Sequence, residues 1–346
     1  MAAMALIFRM RLLCFVLCLW SAVQAAHAGE FDCAQAKRVD WHAAAPGVWV
    51  WLPERLDEVS QDNQGHVLPI SAVVDAGVAL VVDPGPNFKQ GLRVRASLAC
   101  QFGAQVRWVV NTHAHAESVL GNSAFADLQA LDLLTIAASA GTHEAMRRRC
   151  EQCLSHLTAI VGAEVMQGSR IVLPDRLLTE GDTLAVGRIR LQVMEVRNAH
   201  TESDLLLWEP RSRVLWAGGL LYAGRIPELA QGSLNGWLYA LQRLTELRPA
   251  VALGAALSVA PNATSLPPML DATRNYLQTL RMSVLQAMDA GLDGSDTRSI
   301  QLPGHAHWAG YEQRHGFNVQ RAWRELEPEW LDATGPVSPL VPDLRR

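Results

Sequence analysis

The sequence predicts an α/β layered fold, with strands in two groups and helices between and after them. Short strand-and-turn patterns fill residues 41–83, and a second β-rich stretch runs over residues 170–216. The segments between and beyond have helical spacing or loop composition. An internal repeat, a low-complexity tract and a long linker are all missing from the sequence, so one compact domain with a helical C-terminal part is the simplest organisation.

The first residues stand apart from this pattern. Arg9 and Arg11 precede an apolar run, residues 12–23, that leads into Ala26-His27-Ala28. A charged start, a short apolar stretch and an Ala-x-Ala site describe a secretory signal peptide over residues 1–28. A dozen apolar residues cannot span a bilayer core that needs about 20. The mature chain is therefore expected to be periplasmic or secreted, with no transmembrane anchor.

Cysteine usage suits that address. Cys14 and Cys18 leave with the leader, and Cys33, Cys100, Cys150 and Cys153 stay. Four cysteines in an oxidising compartment allow up to two disulfides, in three pairings. Cys150-x-x-Cys153 falls in a helical context, which puts both thiols on one side of a helix. A redox dithiol and half of a zinc ribbon are the functional readings; a structural disulfide is the plainer expectation.

The elements follow in order. Residues 48–52 form a strand ending at Pro53, and residues 71–74 another, closed by the turn Asp75-Ala76-Gly77. Val78–Val82 is uniformly apolar, as a strand buried on both faces should be, and runs into Asp83-Pro84-Gly85. Residues 87–104 read as helix. Residues 107–112 are a second buried strand that delivers the chain to His113. Helix and loop continue through Gly162, and the β-rich stretch that follows turns at Gly181-Asp182 and Val186-Gly187. Residues 237–247 form an amphipathic helix, residues 249–259 an apolar strand, and the chain from Pro267 is helical around a loop near residue 291.

Nearly half the residues are hydrophobic (49%), enough for a sizeable core, and the formal net charge is only −4, with no basic block. That argues against a nucleic-acid partner. The chemistry concentrates at His113-Ala114-His115, immediately after a buried strand. Residues two apart in extended backbone project to the same side, so both imidazoles can reach one ion. Neutral imidazole is a favoured zinc ligand, and three protein ligands plus water make a catalytic zinc site.

Context extends this pair. Thr112-His113-Ala114-His115-Ala116-Glu117-Ser118-Val119-Leu120-Gly121-Asn122 resembles the T-H-x-H-x-D-H-x-x-G-N signature of the metallo-β-lactamase superfamily. Val81-Val82-Asp83-Pro84-Gly85 is similar to that family's strand ending in D-x-G. Asn198-Ala199-His200-Thr201-Glu202-Ser203-Asp204-Leu205 resembles its A-H-T-x-x-D-L/N segment, and Val214-Leu215-Trp216-Ala217-Gly218-Gly219-Leu220-Leu221 its V-L-F-x-G-D-L-L segment. Arg225-Ile226-Pro227, the Gly232-Ser233-Leu234-x-Gly236-Trp237 run and the stretch from His315 to Ala322 are similar to the periplasmic branch called quinoprotein relay system zinc metallohydrolases.

The resemblance implies a four-layer αββα metallo-β-lactamase fold over residues 40–262, with a helical C-terminal extension over residues 263–346. It implies a first zinc site made by His113, His115 and His200. It also implies a second site that this chain has largely lost. The D-H pair of the signature is Glu117-Ser118 here, the bridging aspartate is Gly219, and the late histidine is Ala255. The expected cofactor is one zinc ion, with Glu117 orienting the water or acting as general base, and Asp83 or Asp204 accepting from an imidazole N–H. The expected function is hydrolysis of an ester, thioester, lactone or similar small molecule. The alternative is a catalytically inactive binding or accessory component with a periplasmic redox-protein partner. His305 and His307 are expected on an exposed loop, and His143, His156 and His315 at the surface or at helix caps. Of the eleven tryptophans, Trp108, Trp208, Trp216 and Trp237 fall near the expected site, where core packing is their simplest role.

Overall fold

A computed structural model describes residues 31–34, 36–55 and 57–334; the expected leader at 1–28 lies outside them. Two sheets form the centre. The first carries β1 (His42–Ala45), β2 (Val48–Trp51), β3 (Ile70–Asp75), β4 (Val78–Val82), β5 (Gln105–Val110), β6 (Thr135–Ser139) and β7 (Arg176–Leu178), in that spatial order. β1 to β4 pair antiparallel, and β4 to β7 pair parallel. The second sheet carries β8 (Thr183–Val186), β9 (Ile189–Arg197), β10 (Ser203–Glu209), β11 (Val214–Trp216), β12 (Val251–Leu253) and β13 (Leu257–Val259), ordered β13-β12-β11-β10-β9-β8.

Among the described residues five long helices cover the sheets, and polar caps start three of them. α1 (Phe88–Phe102) begins where the Asn87 side chain accepts from Gln90 N at 2.9 Å, and stops at Gly103 in the left-handed region. α2 (Ala140–Val161) is capped by Ser139, which accepts from Thr142 N at 3.0 Å. α3 (Leu234–Glu246) is capped the same way by Ser233 and Gly236 N. α4 (Pro268–Asp289) and α5 (Tyr311–Thr334) complete the set.

The layers follow from which faces are apolar. Val48, Val50, Leu80, Val82 and Val110 of the first sheet meet Leu191, Val193, Leu205, Leu207 and Trp216 of the second in a dry interior between the sheets. The outer face of the first sheet buries Ala72, Ala79, Val81 and Val109 under Val94 and Leu98 of α1. The outer face of the second sheet buries Leu206, Leu215 and Ala252 under Trp237 and Leu241 of α3, with Tyr276, Leu280, Trp323 and Leu326 of α4 and α5 in the same cluster. Helix, sheet, sheet and helix stack as the resemblance implies. The C-terminal helices share one core with the second sheet rather than forming a separate body.

Two elements differ from the sequence reading. Thr135–Ser139 is a strand where helix and loop are expected, because its five residues, TIAAS, carry no periodicity and owe their extended form to neighbours β5 and β7. Residues 249–259 form two short antiparallel strands, because the chain folds back between Leu253 and Leu257. Cys33 and Cys100 form a disulfide that ties the chain before β1 to α1; Cys150 and Cys153 are free thiols.

His66 is buried against Trp51, and its titration has a readable consequence. Burial, and after it the Arg93 charge, pushes this imidazole down to about 4. The unfolded chain takes up a proton near 6.5, so between about pH 6.5 and 4 the unfolded state binds more protons and stability falls as pH is lowered. His66→Gln is expected to remove about 3 kcal/mol of that loss, measured by denaturant titration at steps between pH 7 and 4. Parallel pH slopes for the two proteins would refute the assignment.

Candidate metal centre

β5 ends at Val110, and the next residues are locked before the histidines begin. Asn111 and Asn122 exchange side-chain hydrogen bonds at 3.0 and 2.8 Å, which closes the loop that carries His113 and His115. Asp83, at the end of β4 with φ of 50°, accepts from Thr112 N at 2.8 Å and from Thr112 Oγ1 at 2.6 Å. A non-glycine residue held in the left-handed region is a local strain that surrounding contacts must support. On the other side, β9 leads into Asn198-Ala199-His200. There the buried Asp204 carboxylate accepts from His200 N, Thr201 N and Thr201 Oγ1 and fixes the loop.

The two halves bring His113, His115 and His200 together. Their ring centroids lie 4.7 to 4.9 Å apart in a nearly equilateral triangle, and all three are buried. His200 Nε2 faces His115 Nδ1 at 3.3 Å. Two nitrogens bound to one tetrahedral zinc ion at 2.0–2.1 Å stand about 3.3–3.4 Å apart, so this contact has the spacing of metal ligands.

Hydrogen bonds assign the tautomers. His200 Nδ1 lies 2.9 Å from the Glu228 carbonyl oxygen, which can only accept, so Nδ1 carries the proton and Nε2 is free. With Asp83 ionised, the single Thr112 hydroxyl proton goes to its carboxylate. His113 Nδ1, 2.7 Å from that hydroxyl, must therefore donate to it. His113 Nε2 is then a buried lone pair with no hydrogen-bond partner, an arrangement that a metal ion resolves. Burial also holds His113 and His200 far below the ordinary imidazole range, in the neutral form that ligation requires.

Neither Asp83 nor Asp204 touches an imidazole, contrary to the sequence expectation. Asp83 acts through Thr112, and Asp204 holds backbone. The direct acceptor for His200 is the carbonyl of Glu228, which the sequence reading missed. Asn318 of α5 fixes that segment: its Nδ2 donates to Pro227 O at 2.7 Å, and its Oδ1 accepts from Leu229 N at 3.0 Å. The Trp237 ring lies 5.2 Å from His200. Its Nε1 donates to Leu220 O at 2.9 Å. Gly236 runs against Asn198 O, where a Cβ would stand 1.9 Å from the oxygen, so α3 can start beside the His200 loop only with glycine there. The motifs at 225–227, 232–237 and 315–322 thus converge around His200.

The open side of the triangle is acidic and basic together. Glu117 Oε1 is 3.9 Å from His115 Nδ1, and His115, Glu117 and Glu228 form a second close group. Burial pushes the Glu228 carboxyl up, and nearby positive charge, Arg314 included, more than reverses this, to about 2. Arg314 of α5 pairs with Glu228 and, at 2.7 and 2.8 Å, with both oxygens of Glu58, which also lies 3.5 Å from Arg225. A cleft of about 480 Å³ opens here, lined among others by His115, Glu117, Cys153, Glu228 and Arg314.

Ser118 is buried with its hydroxyl unpartnered, Ala255 is fully buried, and a Cβ on Gly219 would fall 2.1 Å from His200 Cδ2. Of the other histidines, His156 lines the cleft. His305 and His315 are buried rather than exposed. His305 packs edge-on against Tyr276 and Trp308. His315 stacks on Tyr311 and donates to Ile300 O. Trp216 fills the inter-sheet core, and Trp237 alone of the singled-out tryptophans reaches a histidine of the triangle.

Comparison with known proteins agrees with this geometry. The family model described as the metallo-beta-lactamase superfamily matches residues 69–255. Among solved structures, a metallo-beta-lactamase from Pontibacter korlensis is similar with a TM-score of 0.53 at 19% identity, covering 70% of this chain and 99% of its own. A metallo-beta-lactamase from Pseudomonas aeruginosa, solved in its mono-zinc form, gives 0.50 at 16%, covering 70% and 96%. One from Hirschia baltica gives 0.51 at 15%, covering 70% and 98%. Comparison with curated proteins gives no match.

Proposed function

Since the chain belongs to the metallo-beta-lactamase superfamily, we propose that it is a hydrolase with one zinc ion held by His113, His115 and His200, acting on an ester, thioester, lactone or similar small molecule. The observation that carries this reading is the triangle itself. Three buried imidazoles converge, two have their tautomers set by fixed acceptors, and one ring-to-ring contact has ligand spacing. When bound, zinc supplies Lewis acidity toward a carbonyl and a water acidic enough to react near neutral pH.

The chain's own residues supply the rest. Glu117, on the open side, is placed to take a proton from the attacking water. Glu228 orients His200 through its carbonyl and sets its carboxylate beside Glu117. Arg314 neutralises Glu228 and adds positive charge to the cleft wall. We read the second half of the site as lost, because Ser118, Gly219 and Ala255 offer no strong ligand. Loss of comparable electrostatic groups costs about 10²–10³ in rate, so turnover should be slow beside that of a two-metal relative. The leader-like residues 1–28 support an exported, periplasmic setting. The motifs around His200 support the quinoprotein relay branch.

A second reading rests on those same three replacements: a fold kept for binding a small molecule or a redox-protein partner, without turnover. Elemental analysis after zinc loading, with a panel of chromogenic esters, thioesters and lactones, separates the two. About one zinc per chain with hydrolysis, both lost in His113→Ala, is expected. One zinc without turnover across the panel favours the binding reading. Two zinc ions, or none, would overturn the single-site assignment.

A further inference from the structure

Cys150 and Cys153 form a titratable pair at the cleft that the hydrolytic reading leaves unused. They sit one turn apart on α2. Cys150 is fully buried against Ala114, the residue between His113 and His115, and against Val119. Cys153 is half-buried and lines the cleft with His115 and Glu117. Residues i and i+3 of a helix have Cα atoms about 5 Å apart, inside the range that a disulfide spans. The pair is thus a half-buried thiol at the cleft wall backed by an enclosed one.

We propose that Cys150 and Cys153 are a thiol–disulfide exchange site opening into the metal cleft, which takes small disulfides. The Cys153 thiolate attacks one sulfur of R–S–S–R, forming Cys153–S–S–R and expelling RS⁻, which water protonates to RSH. Cys150 then loses its proton to water and attacks the Cys153 sulfur. The Cys150–Cys153 bond forms, and a second RS⁻ leaves to be protonated. The chain gives up two electrons, the small disulfide takes them, and no other oxidant enters. A hydrogen bond between the two sulfurs favours this order, since it lowers Cys153 and raises Cys150. Cys33 and Cys100 are already joined and do not take part.

The test treats the reduced-thiol form of the full mature chain with bis(2-hydroxyethyl) disulfide and follows adducts by intact mass spectrometry. Wild type is expected to release two small thiols per chain and end with no adduct. Cys150→Ser is expected to stop at a stable adduct on Cys153, and Cys153→Ser to react at least 100-fold more slowly than wild type. A stable single adduct on wild type, or native thiols that react only after unfolding, would overturn the proposal. Wild type decides this alone should Cys150→Ser fail to fold. Running the reaction on zinc-loaded and chelator-treated protein separates it from the metal assignment, because exchange should persist without the metal.

Discussion

Gly219→Asp, which installs the bridging carboxylate that the superfamily resemblance implies at this position, is expected to expel the first metal instead of adding a second. A Cβ at 219 would stand 2.1 Å from His200 Cδ2 and 2.3 Å from Nε2, well inside contact distance. His200 has little room to yield, because it is fully buried, donates to Glu228 O and packs against Trp237. The ring must swing away from His113 and His115, and a two-histidine remnant does not hold zinc against a chelator. Zinc content by elemental analysis should fall from about one per chain toward zero, with a lower melting temperature. A folded variant binding one or two zinc ions would show that His200 can move and that the second half of the site is recoverable.

Trp237→Ala is expected to be the most damaging single change to stability near the site. The side chain is fully buried, fills the junction of α3 with the second sheet, and packs against both His200 and Tyr222. Truncating a buried tryptophan costs about 3–5 kcal/mol, and the Leu220 carbonyl left without its donor adds about 1–3 kcal/mol. A total near 5 kcal/mol corresponds to a fall of about 8 °C in melting temperature for a domain of this size. Zinc affinity should drop in the same variant, because the ring is one wall of the His200 pocket. Trp237→Phe keeps an aromatic wall and should lose much less. A fall of under about 3 °C for the alanine variant would remove Trp237 from the support of the site.

The two variants probe different things. The first asks whether space exists for a second metal's ligand, and the second asks how rigidly His200 is held. Both concern His200, whose surroundings come from the most distant parts of the chain. Glu228 supplies its acceptor, Gly219 and Trp237 bound its ring, and Asn318 pins the segment carrying Glu228.

Local pattern was enough to single out His113 and His115, because their spacing and position after a buried strand are written in consecutive residues, whereas His200 entered through the resemblance to the metallo-β-lactamase superfamily. His113 and His115 lie two apart at the end of β5, and His200 follows β9 in a stretch with its own turn chemistry. The buried strand Val78–Val82, the helix after Asn87 and the β-rich second half were legible for the same reason: apolar periodicity and capping residues act over a few positions. β6 was not, since its residues, without periodicity of their own, become a strand only by pairing with β5 and β7. The acceptors for the imidazoles were not legible either. A backbone carbonyl such as that of Glu228 carries no sequence signal, and carboxylates at plausible spacing, Asp83 and Asp204, turned out to hold Thr112 and backbone instead. The burial of His315, the Arg314 pairs and the opening of Cys153 into the cleft depend on where α5 and α2 dock. Local pattern thus pointed to most of the elements and, together with the family resemblance, to the candidate ligands. Only tertiary packing decided what orients the ligands, what fills the space beside them and what faces the cleft, because those contacts join residues tens to hundreds of positions apart.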